Sequence, residues 1–103
     1  MRLPLKKWHL VFKNGNGYCQ YCGMDLLSSF EHYFFAEVDH LFPNGEPDRD
    51  EPNNLVLSCR ACNSRLSRAQ HLATFSERKE YLQSESLSKG ARDTYNEYLK
   101  TLR

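Results

Sequence analysis

Ala36-Glu37-Val38-Asp39-His40 is the stretch from which the fold can be worked out. An apolar run precedes it, and the stretch ends in an acid followed directly by an imidazole. A second apolar run, Leu55-Val56-Leu57, leads to a pair of cysteines. Runs of aromatic and β-branched residues predict two strands, over 33–38 and 55–57. We expect these strands to pair as an antiparallel hairpin with a long, irregular connection.

The four cysteines fall into two C-x-x-C pairs, Cys19 with Cys22 and Cys59 with Cys62. Two residues between thiols let one tight turn present both sulfurs to one ion, and four thiolates match tetrahedral Zn²⁺. Such a site has no open coordination position, so it is structural. Ordinary buried thiols, a redox pair and an iron–sulfur cluster are the alternatives. Because a shared ion joins the two pairs, His40 must lie within a loop closed by metal.

The length of the chain, 103 residues, predicts one domain over 1–103, with a core motif in 18–68 and a helical extension in 74–103. The composition, 40% hydrophobic and 26% charged, is that of a soluble globular protein. No apolar run is long enough to span a membrane, and the basic N-terminus lacks the apolar segment of a secretory signal. We therefore expect a cytoplasmic protein with no membrane contact, whose cysteines bind metal rather than form disulfides.

Helices are predicted on both sides of the motif. Pro4 fits the first turn of a helix that ends near Lys13, before two Asn-Gly pairs. A helix over about 60–69 should follow the second cysteine pair. Thr74 and Glu77 match a capping box, and the helix that they start would reach about residue 83. A last amphipathic helix is marked by Leu87, Ala91, Tyr95, Leu99 and Leu102.

The order of these elements resembles the HNH endonuclease family, the ββα-metal nucleases of the His-Me finger type. The similarity rests on the first C-x-x-C pair, Val38-Asp39-His40 followed by Pro43, Asn54-Leu55, and the second C-x-x-C pair followed by Asn63. It implies an α+β fold: a small ββα-metal domain with a four-cysteine zinc site and flanking N- and C-terminal helices. The family often has His where this chain has Asn63, and that departure alone does not imply inactivity.

The residue types at these positions suit hydrolysis of a phosphodiester. An imidazole can accept a proton near neutral pH, while carboxylate and amide oxygens suit Mg²⁺ with open positions. The resemblance implies a metal-dependent DNA endonuclease with His40 as general base. It also implies Asp39 and Asn63 as ligands of one Mg²⁺ or Mn²⁺, and Asn54 as the residue that holds the histidine by hydrogen bonding. Neighbouring side chains of a regular strand point to opposite faces, so Asp39 and His40 converge only where the strand bends or ends.

Arginines after the second cysteine pair are the candidates for contact with DNA phosphates: Arg60, Arg65 and Arg68. A solvated face is the simpler explanation for such a cluster on its own. A lone ββα unit cuts one strand, so a double-strand break would need two copies. Residues of the last helix are candidates for a homodimer face, with packing inside the chain as the default: Tyr95, Tyr98, Leu99 and Leu102.

The alternative function is a zinc-stapled nucleic-acid-binding module or subunit without catalysis. It accounts for the cysteines and the arginines. It leaves the Asp39-His40 pair and Asn54 without a role. Cleavage that depends on an added divalent ion would separate the two hypotheses.

Overall fold

Two antiparallel strands form the centre of the structure. A computed structural model describes residues 3–41 and 51–103, except for the side chains of residues 85–88. Strand β1 is Ala36–His40 and strand β2 is Leu55–Cys59. Val38 lies opposite Leu57 in the ladder. The predicted antiparallel hairpin is therefore confirmed, while most of its predicted connection, residues 42–50, lies outside the described residues.

The aromatic residues before β1 form a helix and not the start of the strand. Helix α2, Phe30–Phe34, begins at Ser29, whose hydroxyl accepts a hydrogen bond from the His32 backbone N–H at 3.0 Å. A cap of this kind satisfies an N–H group that a first helical turn leaves without a partner. The prediction of a strand from residue 33 was wrong. A short apolar run suits either a helix or a strand, and the Ser29 cap favours the helix here.

Helix α1, Leu5–Asn14, agrees with the sequence prediction and ends at an Asn-Gly turn. Gly17 and Asn16 have positive φ angles of 77° and 53°, which these two residue types tolerate. Val11 is the buried residue of this helix. Leu5, which precedes Trp8 and Phe12 at apolar steps of three and four residues, is 68% exposed. The helix therefore contacts the core through a narrower stripe than its apolar pattern indicates.

The segment after β2 is helical throughout most of its length. Helix α3, Arg60–Arg65, is shorter than predicted because the chain tightens into a 3₁₀ turn over Leu66–Arg68. Helix α4, Phe75–Gln83, begins with the predicted capping box around Thr74. Helix α5, Glu85–Leu102, completes the chain. The order β1, β2, α3 is the ββα unit, with helices on both sides of it in sequence.

The core is organised around β2, all five of whose residues are buried. Leu57 and Leu26 are 0% exposed, and Leu66 is 2% exposed. The apolar side of α5 is different. Among its described side chains, the large hydrophobic ones are exposed: Tyr95, Tyr98, Leu99 and Leu102. None of the helices among the described residues is both long and apolar enough to cross a membrane.

Leu57→Ala is expected to lower the free energy of unfolding by about 2–5 kcal/mol, because it removes a fully buried side chain from the middle of β2. Leu5→Ala, at a position that is 68% exposed, should change it by less than about 0.5 kcal/mol. Urea unfolding with zinc in excess measures both variants. Equal effects at the two positions would contradict a core centred on β2.

Candidate functional site

The four cysteines meet where the turn after α1 approaches the junction of β2 and α3. Their sulfur atoms all lie within 4.8 Å of one another. The Sγ atoms of Cys22 and Cys59 are 3.8 Å apart. A tetrahedron with Zn–S bonds of about 2.3 Å has its sulfurs about 3.8 Å apart. The cluster therefore fits a structural Zn²⁺, as the spacing of the cysteines predicts.

Backbone hydrogen bonds hold the first cysteine pair in its turn and join that turn to the sheet. The Gly23 N–H donates to the Cys19 carbonyl at 2.8 Å, and Gly23 has a φ of +84° that favours glycine. Gln20 then pairs with Leu57 through one backbone bond and one side-chain bond. The Gln20 N–H donates to the Leu57 carbonyl, and the Leu57 N–H donates to Gln20 Oε1, both at 2.8 Å.

The clustered sulfurs alter one another's acidity. Hydrogen bonds from Cys59 and Cys62 hold the pKa of the Cys19 thiol far below its usual value. The same interaction raises the pKa of Cys59 to about 11 and raises that of Cys62 further. Because only thiolates bind Zn²⁺, binding releases protons and strengthens as the pH rises.

Asp39 is buried and held by two neighbours. Its Oδ1 and Oδ2 accept hydrogen bonds from Nη1 of Arg78 at 2.8 and 3.1 Å. The hydroxyl of Tyr21 donates to Oδ2. Burial raises the pKa of the Asp39 carboxyl, and the Tyr21 hydrogen bond and the Arg78 charge oppose that shift. A carboxylate has about four lone-pair positions, so three accepted bonds leave one for a cation.

Asn63 lies on α3 and contacts β1 through Glu37. Its Nδ2 donates to Glu37 Oε1 at 2.8 Å, so the amide oxygen is the atom suited to a cation. Glu37 Oε2 also accepts a hydrogen bond from Nε of Arg60 at 3.1 Å. Glu37 and Asp39 are two residues apart on one strand, which gives them the same face. Carboxylate and amide oxygens are ligand types that suit a hard divalent ion. Among the described residues, however, Glu37 and Asp39 form no metal-binding group with a third acid or a histidine.

His40 is the last residue of β1, where it pairs with Leu55 in the ladder. Asn54 ends the 3₁₀ turn Pro52–Asn54 and is 1% exposed. Its carbonyl accepts a hydrogen bond from the Leu41 N–H at 3.0 Å, directly after the histidine. Asn54 thus fixes the backbone at the end of β1, which is where Asp39 and His40 could converge.

The three arginines proposed for DNA contact differ in their surroundings. The side chain of Arg60 is 62% exposed and pairs with Glu37. Arg68 is exposed at the end of the 3₁₀ turn. Arg65 is partly buried, and its Nη2 donates to the Leu82 carbonyl on α4 at 3.0 Å. Arg60 and Arg68 are therefore the more accessible cations.

Three residues of this region were not predicted from the sequence: Tyr21, Glu37 and Arg78. Tyr21 could have been predicted from its position between two candidate zinc ligands. Glu37 could have been predicted from its two-residue spacing from Asp39, which places both on one face of a strand. No sequence pattern predicts the contact of Arg78, since this residue follows Asp39 by 39 residues along the chain. Its contribution depends on how α4 packs.

A hairpin followed by a helix, joined to a cluster of four cysteines, defines a small ββα-metal fold. The family model described as HNH endonuclease matches residues 19–69. That match includes both cysteine pairs, both strands and α3, and this part of the chain belongs to the HNH endonuclease family. Comparison with curated proteins and with solved structures gave no significant match.

Cys59→Ser is expected to release Zn²⁺ and unfold much of the domain, because the free energy of metal binding is here largely free energy of folding. Asn63→Ala, four residues later, should keep the zinc and leave the circular dichroism spectrum unchanged. Zinc stoichiometry and melting temperature, measured on the same preparations, compare the two variants. If Asn63→Ala loses zinc or melts like Cys59→Ser, Asn63 is a structural residue and not a candidate ligand of a second ion.

Proposed function

We propose that this chain is a metal-dependent DNA endonuclease that hydrolyses phosphodiester bonds. The observation that carries the proposal is the HNH match over residues 19–69, within which His40 ends β1 beside a face with two carboxylates and an amide. A base and hard-cation donors on two adjoining elements, β1 and α3, suit hydrolysis of a phosphodiester.

In the proposed mechanism, His40 accepts a proton from the attacking water, since an imidazole titrates near neutral pH. Asp39 and Asn63 would hold one Mg²⁺ or Mn²⁺. That ion, when bound, supplies charge stabilisation to the phosphate and to the departing oxygen. Asn54 keeps the end of β1 in place through its carbonyl bond to Leu41. Arg78 and Tyr21 hold the Asp39 carboxylate in one orientation.

DNA is the substrate that we propose, bound through its phosphates. Arg60 and Arg68 have exposed side chains on α3 and the turn after it. Arg65 is part of the same segment but also contacts α4. Contacts of arginine with phosphate supply affinity that depends on salt and carry no sequence information directly.

Cutting both strands would need two copies of the chain, because one ββα unit acts on one strand. The exposed side chains of α5 form the face that we propose for contact between copies: Tyr95, Tyr98, Leu99 and Leu102. Sedimentation at protein concentrations above and below that of the nicking assay would detect such a dimer. If the protein is a monomer at all concentrations, the proposed activity is limited to cutting one strand.

One observation favours the alternative, a zinc-stapled nucleic-acid-binding module without catalysis. Asp39 forms a buried ion pair with Arg78 at 2.8 Å, and an acid in such a pair can be purely structural. That alternative predicts DNA binding without cleavage in Mg²⁺ or Mn²⁺. Plasmid nicking by the zinc-loaded protein, with and without added divalent ion, decides between the two functions.

His40→Ala is expected to lower the rate of nicking by at least about 100-fold while folding and DNA binding stay nearly intact, because a general base contributes to the transition state. His71→Ala, an exposed histidine after α3, is the matched control and should nick at the parental rate. Plasmid relaxation in Mg²⁺ measures both. Activity of the His40 variant within about tenfold of the parent would exclude the proposed role.

Arg68→Ala is expected to weaken DNA binding and to lower the slope of log K against log salt by about one, because one phosphate contact is lost. Arg92→Ala, on the exposed α5, should leave the slope unchanged. Binding titrations at several salt concentrations give both slopes. A larger change in slope for Arg92→Ala than for Arg68→Ala would indicate that α5 contains the DNA-binding face.

A further inference from the structure

Arg78 is 4% exposed, which is rare for an arginine unless its charge is paired. It belongs to α4, which lies beyond the matched residues 19–69. Its Nε donates to the Leu72 carbonyl at 2.7 Å, while Nη1 donates to both carboxylate oxygens of Asp39. The guanidinium is planar and rigid, so these bonds fix the Asp39 carboxylate relative to the turn before α4.

A second donor also holds the same carboxylate. The Tyr21 hydroxyl donates to Asp39 Oδ2, and the Tyr21 ring stacks on Phe75 with centroids 5.1 Å apart and planes at 18°. Tyr21 lies between the zinc ligands Cys19 and Cys22. Rotation of the carboxylate would break hydrogen bonds to both the zinc turn and α4.

Helix α4 is a firm support for this contact. Thr74 and Glu77 cap its first turn through reciprocal hydrogen bonds. The Arg78 N–H donates to the Thr74 carbonyl at 3.1 Å in that turn. A side chain that must orient another group is most effective on a rigid element with its own bonds satisfied.

From this geometry we infer that Arg78 is a positioning residue of the active site, which acts through Asp39. The inference rests on the proposed function. Arg78 and Tyr21 take three of the lone-pair positions of Asp39 and so direct the remaining one. Partners that orient a metal-binding carboxylate commonly change metal affinity or activity by about 10–100-fold when they are removed. Helix α4, which carries Arg78, is therefore part of what positions the active site of the nuclease.

The test compares Arg78→Met and Arg78→Lys with Leu82→Ala, a buried residue of the same helix that makes no side-chain hydrogen bond. Each zinc-loaded protein is examined for zinc content, melting temperature, Mn²⁺ affinity by electron paramagnetic resonance, and the kcat and KM of plasmid nicking. All activities are measured at one temperature, well below the lowest of the melting temperatures. Arg78→Lys keeps the positive charge, so it remains informative if Arg78→Met fails to fold.

We expect both Arg78 variants to keep zinc, to bind Mn²⁺ about 10-fold or more weakly, and to lose about 10–100-fold in kcat with KM for DNA nearly unchanged. Arg78→Lys should lose less than Arg78→Met, since it keeps the positive charge. It should still fall short of the parent, since an ammonium cannot reproduce the planar fork. Leu82→Ala should melt earlier yet keep its Mn²⁺ affinity and its kcat.

Two outcomes would overturn the inference. In the first, the Arg78 variants bind Mn²⁺ and nick DNA like Leu82→Ala, so that Arg78 is only structural. In the second, Arg78→Met binds Mn²⁺ more tightly than the parent, so that the guanidinium competes with the ion. A parent protein that does not nick DNA in Mg²⁺ or Mn²⁺ would instead refute the proposed function, which keeps the two failures separate.

Discussion

A cluster of four cysteines that fits Zn²⁺ is the constraint on which the rest of the structure depends. Cys19 and Cys22 belong to a turn near the N-terminus, and Cys59 and Cys62 lie at the end of the hairpin. An ion shared by them closes a long loop, and closure of this kind removes entropy from the unfolded chain. A domain of 103 residues has a modest core, so this contribution is a large part of what makes it fold.

The position of the candidate active site follows from that closure. β1 and His40 lie inside the loop, and Gln20 joins the zinc turn to the middle of β2 through hydrogen bonds of 2.8 Å. Tyr21, from the same turn, then reaches Asp39. Loss of zinc would therefore disturb both the sheet and the carboxylate on its neighbouring strand.

The buried pair of Asp39 and Arg78 is hard to explain by stability alone. Two charges taken out of water lose much hydration, and a well-packed apolar pair is often equally stable or more so. The side chains of Arg78 and Asp39 are only 5% and 6% exposed. A buried, paired carboxylate next to His40 is better explained if its orientation contributes to the proposed catalysis.

Local patterns in the sequence predicted much of the fold and the zinc site. The C-x-x-C spacing, the two apolar runs and the capping box at Thr74 each depend on neighbours within a few residues. The helix over Phe30–Phe34 was missed, because its aromatic residues suit either structure. The partners of Asp39 were missed for another reason: Arg78 is distant in sequence, and a single ion pair has no periodic pattern. The exposed apolar side of α5 likewise reflects tertiary packing, which amphipathicity alone does not determine.

X-ray absorption at the zinc edge on the purified protein is the most direct test of the central claim. The account predicts four sulfur neighbours at about 2.3 Å and no nitrogen or oxygen in the first shell. That spectrum should be the same with and without added Mg²⁺, because the site proposed for Mg²⁺ is separate from the cysteines. A first shell with nitrogen or oxygen, or a bound metal other than zinc, would contradict the claim that a closed four-cysteine zinc site organises the fold.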